Sequence, residues 1–276
     1  MVPCVAQTTT LPTTFAEDAE NYSAAGCPAL EVWLTKLEKH LEKATAEDTK
    51  KALADRGLRL LAASYQGGLL TSQGQERKIH FEHFRRRLDL CQTFEIPTLV
   101  VATDLVRQPE AAYLHQAVAS LAEAGQWAAA FGVRLAVEFR AESAFCSSLD
   151  TAITLVEQCR EPNVGICLDI FHYYKGPSKP EDLERLTPQN LFLVQLSDVA
   201  GIPRELMTDS DRVMPGEGDF RLEPVVHRLR AIGYSGPVSL ELMNPELWKV
   251  NGQQVVELGL AALKRCLGIS PDQTRY

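Results

Sequence analysis

Eight times along this chain a short apolar, β-branched run is followed by a longer stretch with helical period. The runs are 3–9 (PCVAQTT), 29–34 (ALEVWL), 58–67 (LRLLAASYQG), 97–104 (PTLVVATD), 133–140 (VRLAVEFR), 163–172 (NVGICLDIFH), 191–198 (LFLVQLSD) and 236–242 (GPVSLEL). Runs this continuously apolar belong to strands buried on both faces, and alternation with helices places such strands in a parallel sheet. Eight βα units in 276 residues match a closed (β/α)8 TIM barrel, which needs about 250. An open doubly wound sheet is the rival architecture, but no Gly-rich turn follows the first run, so its dinucleotide-binding form lacks support. No low-complexity linker interrupts the rhythm, and one α/β domain over residues 1–276 is expected.

Charge narrows the function classes. The net charge is −8, with acidic and basic residues interleaved, whereas a nucleic-acid binder shows a basic patch or stripe. No run approaches the ~18 consecutive apolar residues of a membrane span. The N-terminus has no basic segment leading into an apolar core, so a cytoplasmic location is expected. The seven cysteines are scattered and never spaced C-x-x-C, the usage of reduced, packed thiols. The last residues, SPDQTRY (270–276), read as a frayed tail.

Barrel enzymes carry their reacting groups at the C-terminal ends of strands. Here those ends hold Glu138 in the fifth run, Asp169 with His172 in the sixth, Gln195 with Asp198 in the seventh, and Glu241 in the eighth. One buried carboxylate can be matched by a lysine or arginine, but three converging on one mouth cannot all stay ionised without a cation. The expected ligand set is Glu138, Asp169, Gln195 and Glu241. Oxygen donors of this kind suit Mn²⁺, with Mg²⁺ or Co²⁺ as alternatives, better than Zn²⁺.

These motifs resemble the sugar isomerase/epimerase superfamily of xylose isomerase-like barrels. The residues that carry the likeness are VEFR with Glu138, LDIFH with Asp169 and His172, VQLSD with Gln195, RVMPGEGD from Arg212 to Asp219, and LEL with Glu241. The resemblance implies a strand-end Glu, Asp, His and Glu around one divalent metal, with Gln195 standing where the usual histidine would be. Glutamine at that place is similar to the 3-dehydroshikimate dehydratase branch. The superfamily also holds an endonuclease of abasic DNA, but Val213 stands where its pattern wants another histidine, and the acidic charge argues against that activity.

The resemblance further implies that Glu138 and Glu241 double as the acid/base pair, that His172 binds a substrate hydroxyl or shuttles a proton, and that the barrels associate as homo-oligomers. Arg212 is expected either to clamp a substrate oxygen with its bidentate fork or to form an ion pair with Asp198 or Asp219. Weaker candidates are Gln7, Glu31 with Trp33, Tyr65 with Gln66, and Asp104; Trp33 and Tyr65 are expected either to wall one face of a ring or to cap the core. PGEGD reads as a turn with Asp219 as an N-cap, and the basic run 83–90 as a solvated helix face. The expected activity is metal-dependent isomerisation or epimerisation of a sugar or keto-polyol through an enediolate. A dehydratase or lyase on the same scaffold is the alternative, and a non-catalytic carbohydrate-binding barrel is a third reading.

Overall fold

A computed structural model describes residues 1–269; the expected frayed tail lies outside them. The eight strands are β1 (Val2–Ala6), β2 (Ala29–Trp33), β3 (Arg59–Gln66), β4 (Thr98–Ala102), β5 (Arg134–Glu138), β6 (Val164–Asp169), β7 (Leu191–Leu196) and β8 (Pro237–Leu240). They follow one another in sequence order around a closed parallel barrel. Among the described residues, nine α-helices occur: α1 (Phe15–Ala24), α2 (Leu34–Leu41), α3 (Ala46–Asp55), α4 (Gly74–Thr93), α5 (Tyr113–Ala130), α6 (Leu149–Cys159), α7 (Ile170–Lys175), α8 (Leu222–Ala231) and α9 (Gly252–Leu267). Among the same residues no helix is long and apolar enough to cross a membrane.

The chain groups into two compact units. The first comprises Met1–Arg59 and the chain from Gln195 onward. Within it β1 pairs with both β2 and β8. Beyond β1 the sequence QTTT turns into a 3-10 segment, Gln7–Thr10, where the sequence reading continued the strand to residue 9. A buried network explains the turn. Lys36 Nζ donates to the carbonyls of Gln7 (3.1 Å) and Thr10 (2.7 Å) and to Asp18 Oδ2 (2.6 Å), while Gln7 and Thr10 donate to the same carboxylate. Side chains that satisfy the backbone locally offer it an alternative to the ladder.

The second unit runs from Leu60 to Val194. β4, β5 and β6 pair in register, with Ala102 beside Glu138 and Glu138 beside Cys167. Buried Ala62, Val100, Ala136, Cys167, Phe192 and Leu193 form one apolar cluster there. Gly165 belongs to this packing because a Cβ on it would stand 2.7 Å from the Asn190 carbonyl oxygen and 2.8 Å from the Phe192 ring.

Several expected elements differ in detail. β6 stops at Asp169, which caps α7 by accepting from Phe171 N at 2.8 Å, so His172 sits in a helical turn rather than at a strand end. The stretch after residue 178 forms only a 3-10 segment, Pro180–Arg185. Asp219 does not cap α8, whose N-cap is Arg221. It accepts instead from Gly201 N at 2.7 Å, and PGEGD is a turn in which Gly216 has φ +86°. In the basic run 83–90, Arg87 is buried and donates to the Tyr65 carbonyl, because the i, i+4 face holding Phe84 and Leu88 turns it inward.

Candidate active site

Three ligand-bearing side chains converge in the second unit. Potential donor atoms of Glu138, Asp169 and His172 all lie within 4.8 Å of one another. Glu138 is the last residue of β5 and Asp169 the last of β6, so the ladder fixes both Cα positions. The single turn of α7 then carries His172 back over Asp169, three residues on. His172 Nε2 stands 3.7 Å from both Glu138 Oε1 and Asp169 Oδ2. Asp169 is completely buried and His172 nearly so. Two carboxylates and an imidazole facing one small volume fit a divalent cation, since the cation is what removes the cost of placing like charges together.

A fourth group, unforeseen from the sequence, stands behind the histidine. Glu142 Oε2 lies 3.6 Å from His172 Nδ1, and its other oxygen accepts from Lys175 Nζ at 2.7 Å. Burial raises the Glu142 pKa, but the Lys175 hydrogen bond and the charges on His172 and Lys175 outweigh it, so the group is held below the ordinary glutamate value. A carboxylate on the far nitrogen of a histidine orients the ring and sets its basicity. The Ala141 N–H also points at Nδ1, at 3.4 Å. Glu142 lies four residues past Glu138 in a non-periodic loop, and no spacing in the sequence marks it.

The other two expected ligands, Gln195 and Glu241, lie in the first unit, as does Arg212. Gln195, fully inside β7, donates from Nε2 to Glu31 Oε1 at 2.8 Å. Both are buried, so the Gln195 amide is the partner of the strand-two carboxylate. Glu241 immediately follows β8 and is reached by Arg212 Nη1 at 3.2 Å and by the Thr8 hydroxyl at 3.4 Å. Arg212 is 1 % exposed, and its second partner is Asp209, at 2.7 Å. Its ion pairs therefore run to Asp209 and Glu241 in place of the expected Asp198 or Asp219. Asp198 is spent on the backbone: buried, it accepts from Val199 N, Phe220 N and Gly216 N at 2.9–3.0 Å. A Cβ on Gly218 would meet that carboxylate at 2.3 Å, which is why a glycine stands there.

Of the weaker candidates, Asp104 accepts from Gly68 N, Leu70 N and Thr71 N and from the Thr71 hydroxyl, fixing the loop between β3 and α4. Gln66 donates to the Gly67 carbonyl in the same loop. The ring of Tyr65, 38 % exposed, is presented just before it. Gln7 bridges β1 to β2 by accepting from Trp33 N and donating to Asp18. Trp33 lines a groove beside α2 with Lys36, Lys39 and Lys43.

Sequence comparison agrees with this architecture, for residues 19–266 match the family described as the xylose isomerase-like TIM barrel. The chain belongs to that family. Among curated relatives, inosose isomerase of Halalkalibacterium halodurans is 27 % identical over 92 % of this chain and 92 % of its own length. The 3-dehydroshikimate dehydratase of Pseudomonas aeruginosa is 27 % identical over 86 % of this chain, which spans only 37 % of that longer protein. Among solved structures, the IOLI protein crystallised with a zinc atom superimposes with a TM-score of 0.92 over 97 % of this chain and 98 % of its own, at 23 % identity. A D-psicose 3-epimerase from Clostridium cellulolyticum follows at 0.76, covering 98 % and 99 % at 16 % identity, a likeness of fold.

Proposed function

We propose that this xylose isomerase-like barrel is a divalent-metal-dependent isomerase or epimerase of a cyclic polyol ketone or sugar. The convergence of Glu138, Asp169 and His172 carries this reading, and the full-length similarity to inosose isomerases gives inosose as the first substrate to try. Glu138, Asp169 and His172 would hold the cation, and the family resemblance proposes Gln195, next to last in β7, and Glu241, just past β8, as further ligands. Mn²⁺ is favoured by the oxygen donors, and Zn²⁺, present in the related IOLI protein, is the rival. Such an ion, when bound, polarises a carbonyl and acidifies the neighbouring C–H.

The chain's own groups supply the proton traffic. Glu138 and Glu241 act as the base and acid that remove a proton α to the carbonyl and return it. Return to the neighbouring carbon isomerises the substrate, and return to the opposite face epimerises it. His172, backed by Glu142, holds a substrate hydroxyl and relays its proton. Arg212 holds the Glu241 carboxylate in place and clamps a substrate oxygen, and Tyr65 offers apolar surface to the ring.

Gln195 favours a second reading, a dehydratase of the 3-dehydroshikimate type in which the same proton abstraction is followed by loss of a β-hydroxyl. Glutamine in place of a strand-seven histidine is the departure that supports it, together with the dehydratase relatives. The test is solvent deuterium exchange into inosose and into 3-dehydroshikimate, before and after chelation. Metal-dependent exchange into inosose without new absorbance supports the isomerase. A new conjugated absorbance from dehydroshikimate supports the dehydratase. No exchange into either, with metal bound, refutes proton abstraction.

A further inference from the structure

We infer that the groove between the β1–α1 loop and α2 is a second small-molecule site, built for a ligand with an anionic head and a flat apolar body. The groove has a volume of about 470 Å³, within the few hundred Å³ typical of small-molecule sites. One wall is apolar, made of Leu11, Pro12, Phe15 and the partly buried Trp33. The other is the face of α2 that repeats at residues 36, 39 and 40, continued by Lys43 in the turn just after the helix.

Charge decides what this groove accepts. The chain carries −8 overall, yet no carboxylate lines the groove. Glu38 and Glu42 alternate with the lysines in sequence but do not line the groove; on the opposite side Asp18 is bound by Lys36, Gln7, Thr10 and Thr13, and Glu17 by the Thr14 N–H and hydroxyl. Among the described residues no ion pair holds Lys39 or Lys43, and both are exposed. Two exposed ammonium groups facing an apolar, aromatic wall attract an anion whose remaining surface is apolar, and they repel cations.

The groove is also pre-formed. Its floor is Lys36, 8 % exposed and tied to two backbone carbonyls and to Asp18. His40 stacks against Phe15 with ring centroids 5.1 Å apart. Its Nε2 lies 3.1 Å from the Thr49 hydroxyl, which gives its own proton to the Thr45 carbonyl, so Nε2 is the donor. A wall held this way loses little freedom when a ligand arrives.

The experiment titrates the metal-loaded protein with 8-anilinonaphthalene-1-sulfonate, read by fluorescence and by quenching of tryptophan emission. Phenyl phosphate, phenol and inorganic phosphate then serve as competitors. The expected result is saturable one-to-one binding, displacement by phenyl phosphate far better than by phenol or phosphate, and an affinity at least tenfold lower in the K39E/K43E variant. Those substitutions are on the surface, and an unchanged circular dichroism melt confirms the fold. An affinity unchanged in K39E/K43E overturns the site. Displacement by inorganic phosphate as efficient as by phenyl phosphate overturns the role of the aromatic wall. Loss of the dye on chelating the metal shows that it sits at the metal cluster, and this too overturns the proposal.

Discussion

Replacing Lys36 by methionine should cost about 3 kcal/mol of stability at pH 7, the low end of what breaking a buried ion pair costs. Lys36 and Asp18 meet at 2.6 Å with side chains 8 % and 0 % exposed, so solvent cannot take over the charge left behind. The loss falls at the low end because Asp18 keeps donors from Gln7, Thr10 and Thr13. Spread over a chain of this size, it lowers Tm by roughly 6–10 °C. The pH dependence carries a definite sign. Burial raises the Asp18 pKa, and the Lys36 charge and hydrogen bond are the main influences opposing it. A folded-state pKa above the unfolded value gives stability that is present at acid pH and lost as pH rises through it. Removing Lys36 lets the Asp18 pKa rise further, so the variant's deficit should be largest near neutrality and should shrink as pH falls toward about 4, the ordinary carboxylate range. Urea unfolding of both proteins at several pH values measures it, since urea leaves charge interactions unscreened. A deficit below about 1 kcal/mol at pH 7, or one that does not change with pH, would refute the assignment of this pair as a buried ion pair.

Other outcomes follow from the site. Glu138→Gln should bind less than a tenth of the metal held by the parent protein, with a similar melt; elemental analysis showing equal metal would remove Glu138 from the ligand set. Gln195→His should raise the zinc-to-manganese ratio taken up from an equimolar mixture several-fold, since imidazole favours zinc, and an unchanged ratio would place Gln195 outside the metal's reach. Asp198→Ala should cost about 3 kcal/mol in urea unfolding, because three backbone N–H groups lose a charged acceptor. Burial holds the Cys27 and Cys91 thiols up at about 11 and about 12, so at pH 8 a thiol reagent should modify at most the half-buried Cys266 in the native protein and all seven cysteines once it is unfolded.

Local patterning carried the architecture. Largely apolar runs of six to ten residues have few homes other than a covered parallel sheet, and their number matched the closed barrel. The convergence of Glu138 and Asp169 was legible for the same reason: a carboxylate at the end of an apolar run is too costly to be there without a partner or an ion, and for Glu241 the partner is Arg212. The partners themselves were decided by tertiary structure. Nothing near Gln195 in the sequence announces Glu31, 164 residues away. Arg212 found Asp209 and Glu241 because the chain between β7 and α8 folds back, with Asp198 holding that loop through its backbone. Glu142 reached His172 because the loop after β5 meets the helix that follows β6. Periodicity reports which face of an element is buried, whereas the pairing of polar groups depends on how distant segments approach, and only the folded barrel supplies that.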